Sequence, residues 1–127
     1  MQNSEEKLCL KWNDFQENLN SSFGVLRNDQ DLVDVTLACE DGTQIETHKV
    51  ILASSSPFFM EVLKKNKHPH PLIYMRGLKA EALLAMVDFL YYGEANVNQE
   101  SFSWSGWGIE TERPDWFVYR KQHARVQ

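Results

Sequence analysis

Hydrophobic and polar positions switch period several times along this chain, and each switch marks a change of element. After a polar start, Leu8, Leu10 and Trp12 alternate with Cys9 and Lys11, the pattern of a short strand. Phe15, Leu19, Phe23 and Leu26 then fall on one face at helical spacing, with Asn13 and Gln16 placed as a capping box and an end predicted near Arg27. Val33, Val35 and Leu37 alternate with Asp34 and Thr36, and Asp41-Gly42 supplies a turn into a second strand around residues 44–47, which together predict a β-hairpin. A short apolar run from Lys49 to Ala53 predicts one or two helical turns. Ser54, Ser55 and Ser56 before Pro57 start a new helix carrying Phe58, Phe59, Val62 and Leu63.

That helix dissolves into Lys64, Lys65, Asn66 and Lys67 and a loop, His68-Pro69-His70-Pro71, before a third short strand at Leu72 to Met75. Lys79 to Tyr92 is the clearest helix, since Leu83, Met86, Val87, Leu90 and Tyr91 repeat at three and four and Gly93 stands at the C-cap. Ala95 to Asn98 adds one more candidate strand. No internal repeat or low-complexity tract interrupts the order.

At 127 residues, the chain has room for one hydrophobic core and not for a second domain. The formal net charge of -5 removes the basic stripe that contact with a phosphate backbone needs, so any DNA contact is expected from outside this segment. Cys9 and Cys39 form neither a CxxC pair nor a secreted disulfide framework, which predicts buried thiols in a reducing compartment. Neither a leader nor an apolar run of membrane-spanning length is readable, so a soluble, intracellular chain is expected.

Candidate chemistry is sparse. The serine cluster lacks a G-x-S-x-G elbow and is better explained by helix capping. His68 and His70 have no third or fourth ligand at suitable spacing, so a solvated loop is expected instead of a zinc site. The glycines form neither a phosphate loop nor a dinucleotide fingerprint, and no cofactor is implied. Asp34 has two readings: a solvated strand residue, or the partner of a cation, with Lys49 and His48 nearest in type. Trp12, Phe15 and Phe23 are either core residues or interface residues, and a helix with little chain before it can be covered by another subunit.

Five segments together carry a resemblance: Leu10-Lys11-Trp12-Asn13-Asp14-Phe15, Leu32-Val33-Asp34-Val35-Thr36-Leu37, His48-Lys49-Val50-Ile51-Leu52-Ala53, Ser56-Pro57-Phe58-Phe59 and Phe89-Leu90-Tyr91-Tyr92-Gly93-Glu94. In that order the chain resembles a BTB/POZ domain of the tramtrack and bric-à-brac type, found at the N-terminus of many insect transcription factors. The resemblance covers residues 8–100, with 1–7 a polar extension and 101–127 a tail outside the pattern.

The resemblance implies an α+β fold, helices around a small sheet of short strands, in an obligate dimer whose N-terminal strand and helix exchange across a two-fold axis. It implies a protein-interaction module, not an enzyme, in a nuclear transcriptional regulator. Leu8, Leu10, Trp12, Phe15, Leu19 and Phe23 would lie at the dimer interface, and Asp34 and Lys49 in a charged pocket linked to corepressor recruitment. Its partners would be itself, as a homodimer or higher oligomer, other BTB proteins and corepressors. The competing function on the same fold is a substrate adaptor for a cullin-3 ubiquitin ligase, whose usual extra helices are not readable here.

Where the family places closing helices, this chain has Ser101 to Gln127, with Trp104, Trp107 and Trp116 among glycines and charges. Reading permitted codons one nucleotide later from inside Phe102 spells Phe-Leu-Gly-Leu-Ala-Gly-Glu-Leu-Lys-Leu-Lys-Gly-Leu-Thr-Gly, the family's missing segment. An out-of-frame tail beginning near residues 100–102, from a small deletion, a gene-model error or a divergent splice, is therefore expected, with an irregular structure; the alternative reading is a genuine isoform tail with a role of its own.

Overall fold

Burial of two facing apolar patterns, the strand at Val35 and the helix before Gly93, organises the molecule. The structure is a computed structural model that describes residues 6–97, and the fold below refers to those residues. Its elements run α1 (Phe15–Asp29), β1 (Val35–Ala38), β2 (Gln44–Thr47), α2 (Lys49–Ser55), α3 (Pro57–Lys65), β3 (Leu72–Tyr74) and α4 (Ala80–Tyr92). The sheet order is β2-β1-β3, with β1 central. β1 pairs antiparallel with β2, Val35 opposite Thr47, and parallel with β3, Thr36 opposite Leu72. The parallel return needs a long connection, which β2, α2 and α3 supply.

All four residues of β1 are buried, although the alternation predicts one solvated face. The difference is local. Thr36 Oγ1 donates to Glu46 Oε2 at 3.0 Å and lies 2.9 Å from His70 Nε2, so these two side chains roof the outer face. At the hairpin, Gly42 adopts φ 90 and its N–H donates to Cys39 O at 3.0 Å. Asp41 Oδ1 accepts from Thr43 N–H at 2.9 Å and from Cys39 Sγ at 3.1 Å. The Thr43 amide, chiefly, holds the Asp41 carboxyl below the usual carboxylate range, while burial pushes the Cys39 thiol up.

Punctuation predicted from sequence works in the structure. Ser56 breaks the chain between α2 and α3 in extended conformation, its Oγ accepting from Phe59 N–H at 3.3 Å with Pro57 in the first helical turn. Gly93 ends α4 at φ 83, its N–H donating to Phe89 O at 2.9 Å. Leu83, Met86, Val87, Leu90 and Tyr91 are all buried, and they meet Leu37, Leu52 and Phe59 in one core.

Several expectations fail, each for a physical reason. Residues 8–12 carry no strand, because a strand needs a neighbour and none of the described strands pairs with that segment. Ala95 to Val97 form no strand either, and Asn98 lies outside the described residues. The capping box at Asn13 and Gln16 is not used: Asp14 is the N-cap at φ 59, outside the extended region that a side-chain cap requires, and Gln16 Nε2 donates to Asn20 Oδ1 at 3.4 Å. α1 runs two residues past Arg27 and closes at Gln30, φ 56, whose N–H donates to Arg27 O. Cys39 is buried as expected, but Cys9 is exposed, since it belongs to the unpaired segment. The tail at 101–127 lies outside the described residues, as does most of the polar extension.

Candidate association surface

Amphipathic periodicity makes α1 a helix, yet none of its residues is buried. Its apolar face is left partly open, and the segment before it is more open still. Leu8 is 83% exposed, Leu10 91%, Trp12 63% and Phe15 44%. The rings of Trp12 and Phe15 sit edge to face at 4.9 Å, so the arm has local order of its own. Leu19 and Phe23 are half-buried, and Phe23 packs against the core. The six candidate interface residues therefore grade from a covered end at Phe23 to an open end at Leu8. Each apolar side chain left this exposed forgoes roughly 1.5 to 3 kcal/mol of burial.

Asp34 and Lys49 are brought together, but through the backbone. Asp34 Oδ1 accepts from the Lys49 amide N–H at 2.7 Å, at the first turn of α2, where a carboxylate complements the free N–H groups. The Lys49 ammonium turns away and donates to His68 O at 2.9 Å. The result is a half-buried acid beside a half-buried base with separate partners.

His48, the other candidate partner of Asp34, is committed elsewhere. Its Nε2 lies 2.7 Å from Asp31 O, an acceptor only, so that nitrogen carries the proton. Its Nδ1, 2.5 Å from Tyr91 Oη, is then the acceptor of the tyrosine O–H, and the Tyr91 oxygen accepts the His48 backbone N–H at 3.0 Å. Burial, opposed by that backbone hydrogen bond, pushes the Tyr91 phenol up to about 12.

A second cluster joins α1 to α4. Arg27 Nη1 meets Asp88 Oδ1 at 2.6 Å, and the guanidinium lies 5.2 Å from the Tyr91 ring centroid and 5.3 Å from that of Tyr92. Sequence reading missed both clusters, because each joins residues more than forty positions apart and no local period points across that distance. The one local sign was the Tyr91-Tyr92 pair, two aromatic residues with polar tips at a helix end. Among the described residues no three His, Cys, Asp or Glu side chains converge to hold a metal ion, and no helix is long and apolar enough to cross a membrane.

The BTB/POZ domain family matches residues 23–103. The chain is 45% identical over 96 residues to the Broad-complex core protein isoforms 1/2/3/4/5 of Drosophila melanogaster, covering 76% of this chain and 13% of that protein. It is 41% identical over 97 residues to Protein bric-a-brac 1 of the same organism, covering 76% of this chain and 10% of that one. With Longitudinals lacking protein-like, also from Drosophila melanogaster, it is 43% identical over 100 residues, 79% of this chain and 78% of the relative, so those two chains are of nearly equal length. The solved BTB domain of zebrafish PATZ1 superposes with a TM-score of 0.62 at 20% identity, covering 74% of this chain and 76% of that one, and supports the α+β fold. On the family match and these identities, the chain belongs to the BTB/POZ domain family of protein-interaction modules.

Proposed function

We propose that this chain is the self-association domain of a nuclear transcriptional regulator, dimerising by exchange of the arm at residues 8–12 and of α1. The observation that carries the reading is the arm itself, where Leu8, Leu10, Trp12 and Phe15 stand exposed in sequence order among the described residues. A second copy supplies cover for them by symmetry. The arm's apolar-polar alternation suits it to add as a strand to an edge of the partner's sheet.

In this role the domain contributes avidity and not base reading. Two linked DNA-binding regions meet clustered sites at a raised effective concentration. The long relatives leave room for such regions within one chain, since the match spans only 13% of the Broad-complex protein. The corner formed by Asp34 and Lys49 is our candidate dock for a corepressor, since the Asp34 carboxylate takes the Lys49 amide and the Lys49 ammonium takes the His68 carbonyl, so the two charges do not pair with each other.

Sedimentation of the full chain at micromolar concentration is expected to give a dimer or higher oligomer, and Leu10→Asp with Trp12→Ala a monomer. A parent chain that stays monomeric while capturing cullin-3 would replace this reading with the ligase-adaptor one.

A further inference from the structure

The contacts that tie α1 to the core and to α4 at Phe23, Gly24 and Arg27 lie in its C-terminal half. No residue of the helix is buried, yet Arg27 is mostly covered, and it makes three contacts at once: the ion pair with Asp88 and the faces of Tyr91 and Tyr92. Gly24, one turn earlier, lets the backbone come close to α4, since a Cβ built there would already stand 3.5 Å from Tyr92 Cε1. After the helix, the Asp31 carbonyl is held by His48. Phe15 and Leu19, toward the other end, are not part of this grip.

A helix gripped at one end points where the grip directs it. We propose that Arg27 is the positioning residue of the association surface: its clasp on Asp88, Tyr91 and Tyr92 sets the angle at which α1 and the arm leave the core, and so the partner surface that Phe15, Trp12 and Leu10 reach. This rests on the dimerisation reading above. The chemistry requires arginine, because a planar guanidinium covers two rings while its fork pairs with a carboxylate. A lysine keeps the charge and loses the plane.

The test uses the full 127-residue chain as parent, Arg27→Gln and Arg27→Lys, with three readouts. Arg27→Gln is expected to raise the dimer dissociation constant about tenfold, and Arg27→Lys by roughly a third of that factor. Amide hydrogen exchange across residues 15–29 is expected to speed up in the same order, while the unfolding midpoint moves by less than about 4 °C. An Arg27→Gln dimer as tight as the parent overturns the proposal. So does a lowered unfolding midpoint with dimer constant and exchange unchanged, the mark of a merely structural residue. Should the parent be monomeric at every concentration, the dimer reading falls and exchange in residues 15–29 alone decides the clasp. If Arg27→Gln does not fold, Asp88→Asn reaches the same clasp from the half-exposed side of α4 and is expected to speed up exchange in those residues; parent-like exchange there overturns the clasp.

Discussion

α1 and α4 are helices of similar length, 15 and 13 residues, and both repeat apolar side chains at three and four. α4 buries six of its residues and α1 buries none. Helical periodicity alone does not separate them. What differs is the neighbourhood: α4 packs on α2 and on α1 and shares the buried core with residues of β1 and α3, whereas α1 packs on α4 and leaves its N-terminal part open. On the proposed reading, the apolar face that the described residues leave uncovered is the one a second copy covers, and the exposed arm preceding α1 extends that face rather than hiding it.

The largest expected effect concerns what else covers the molecule. We infer that the tail from about residue 101 is an out-of-frame reading of the family's closing segment, which carries five leucines in place of Trp104, Trp107 and their neighbours. At roughly 1.5 to 3 kcal/mol for each buried leucine, their joint loss is of the order of a whole domain's net stability, about 5 to 15 kcal/mol. Replacing residues 102–116 by the alternative string is expected to raise the unfolding midpoint by at least about 10 °C and to suppress aggregation. Cooperative unfolding of the parent well above about 60 °C would count against this, as would transcript codons that cannot encode the string.

A smaller effect separates the two helices directly. Leu83→Ala opens a cavity at a fully buried position of α4 and is expected to cost about 2 to 5 kcal/mol in denaturant unfolding. Leu19→Ala on α1 is expected to cost much less in monomer stability and to act mainly on the dimer constant. Equal losses at the two positions would erase the distinction between core helix and association helix.

Much of this was legible in the sequence, and the parts that were not share a cause. The hairpin at Asp41-Gly42, the Ser56-Pro57 helix start and the Gly93 stop are local chemistry, and each appears where local chemistry puts it. The pattern also gave the apolar residues of the arm, though not their state: Leu8, Leu10 and Trp12 have strand alternation without a strand, because alternation records a face and pairing requires a partner. The burial of Thr36 was not legible, because its cover, Glu46 and His70, comes from 10 and 34 residues away. Asp34 and Lys49 were legible as neighbours in type, but not that the contact would run through an amide.

The smallest expected effect lies at the joint between the two regions, where Tyr91 of α4 and the Asp31 turn after α1 share His48. The Tyr91 phenol is pushed from its ordinary value near 10 up to about 12, so the fold favours its neutral form. The contribution is fully present below about pH 10 and is lost as the pH rises toward about 12, because the unfolded chain gives up that proton first. Tyr91→Phe removes the titrating group and leaves the His48 amide without its buried acceptor, a loss of about 1 to 3 kcal/mol at neutral pH. Denaturant unfolding of parent and variant between pH 7 and 11 is therefore expected to give two curves that converge at the alkaline end. Parallel curves would mean that the Tyr91 proton does not stabilise the joint, leaving Arg27 as its main tie and sharpening the contrast between a core helix held along its length and an arm held at one end.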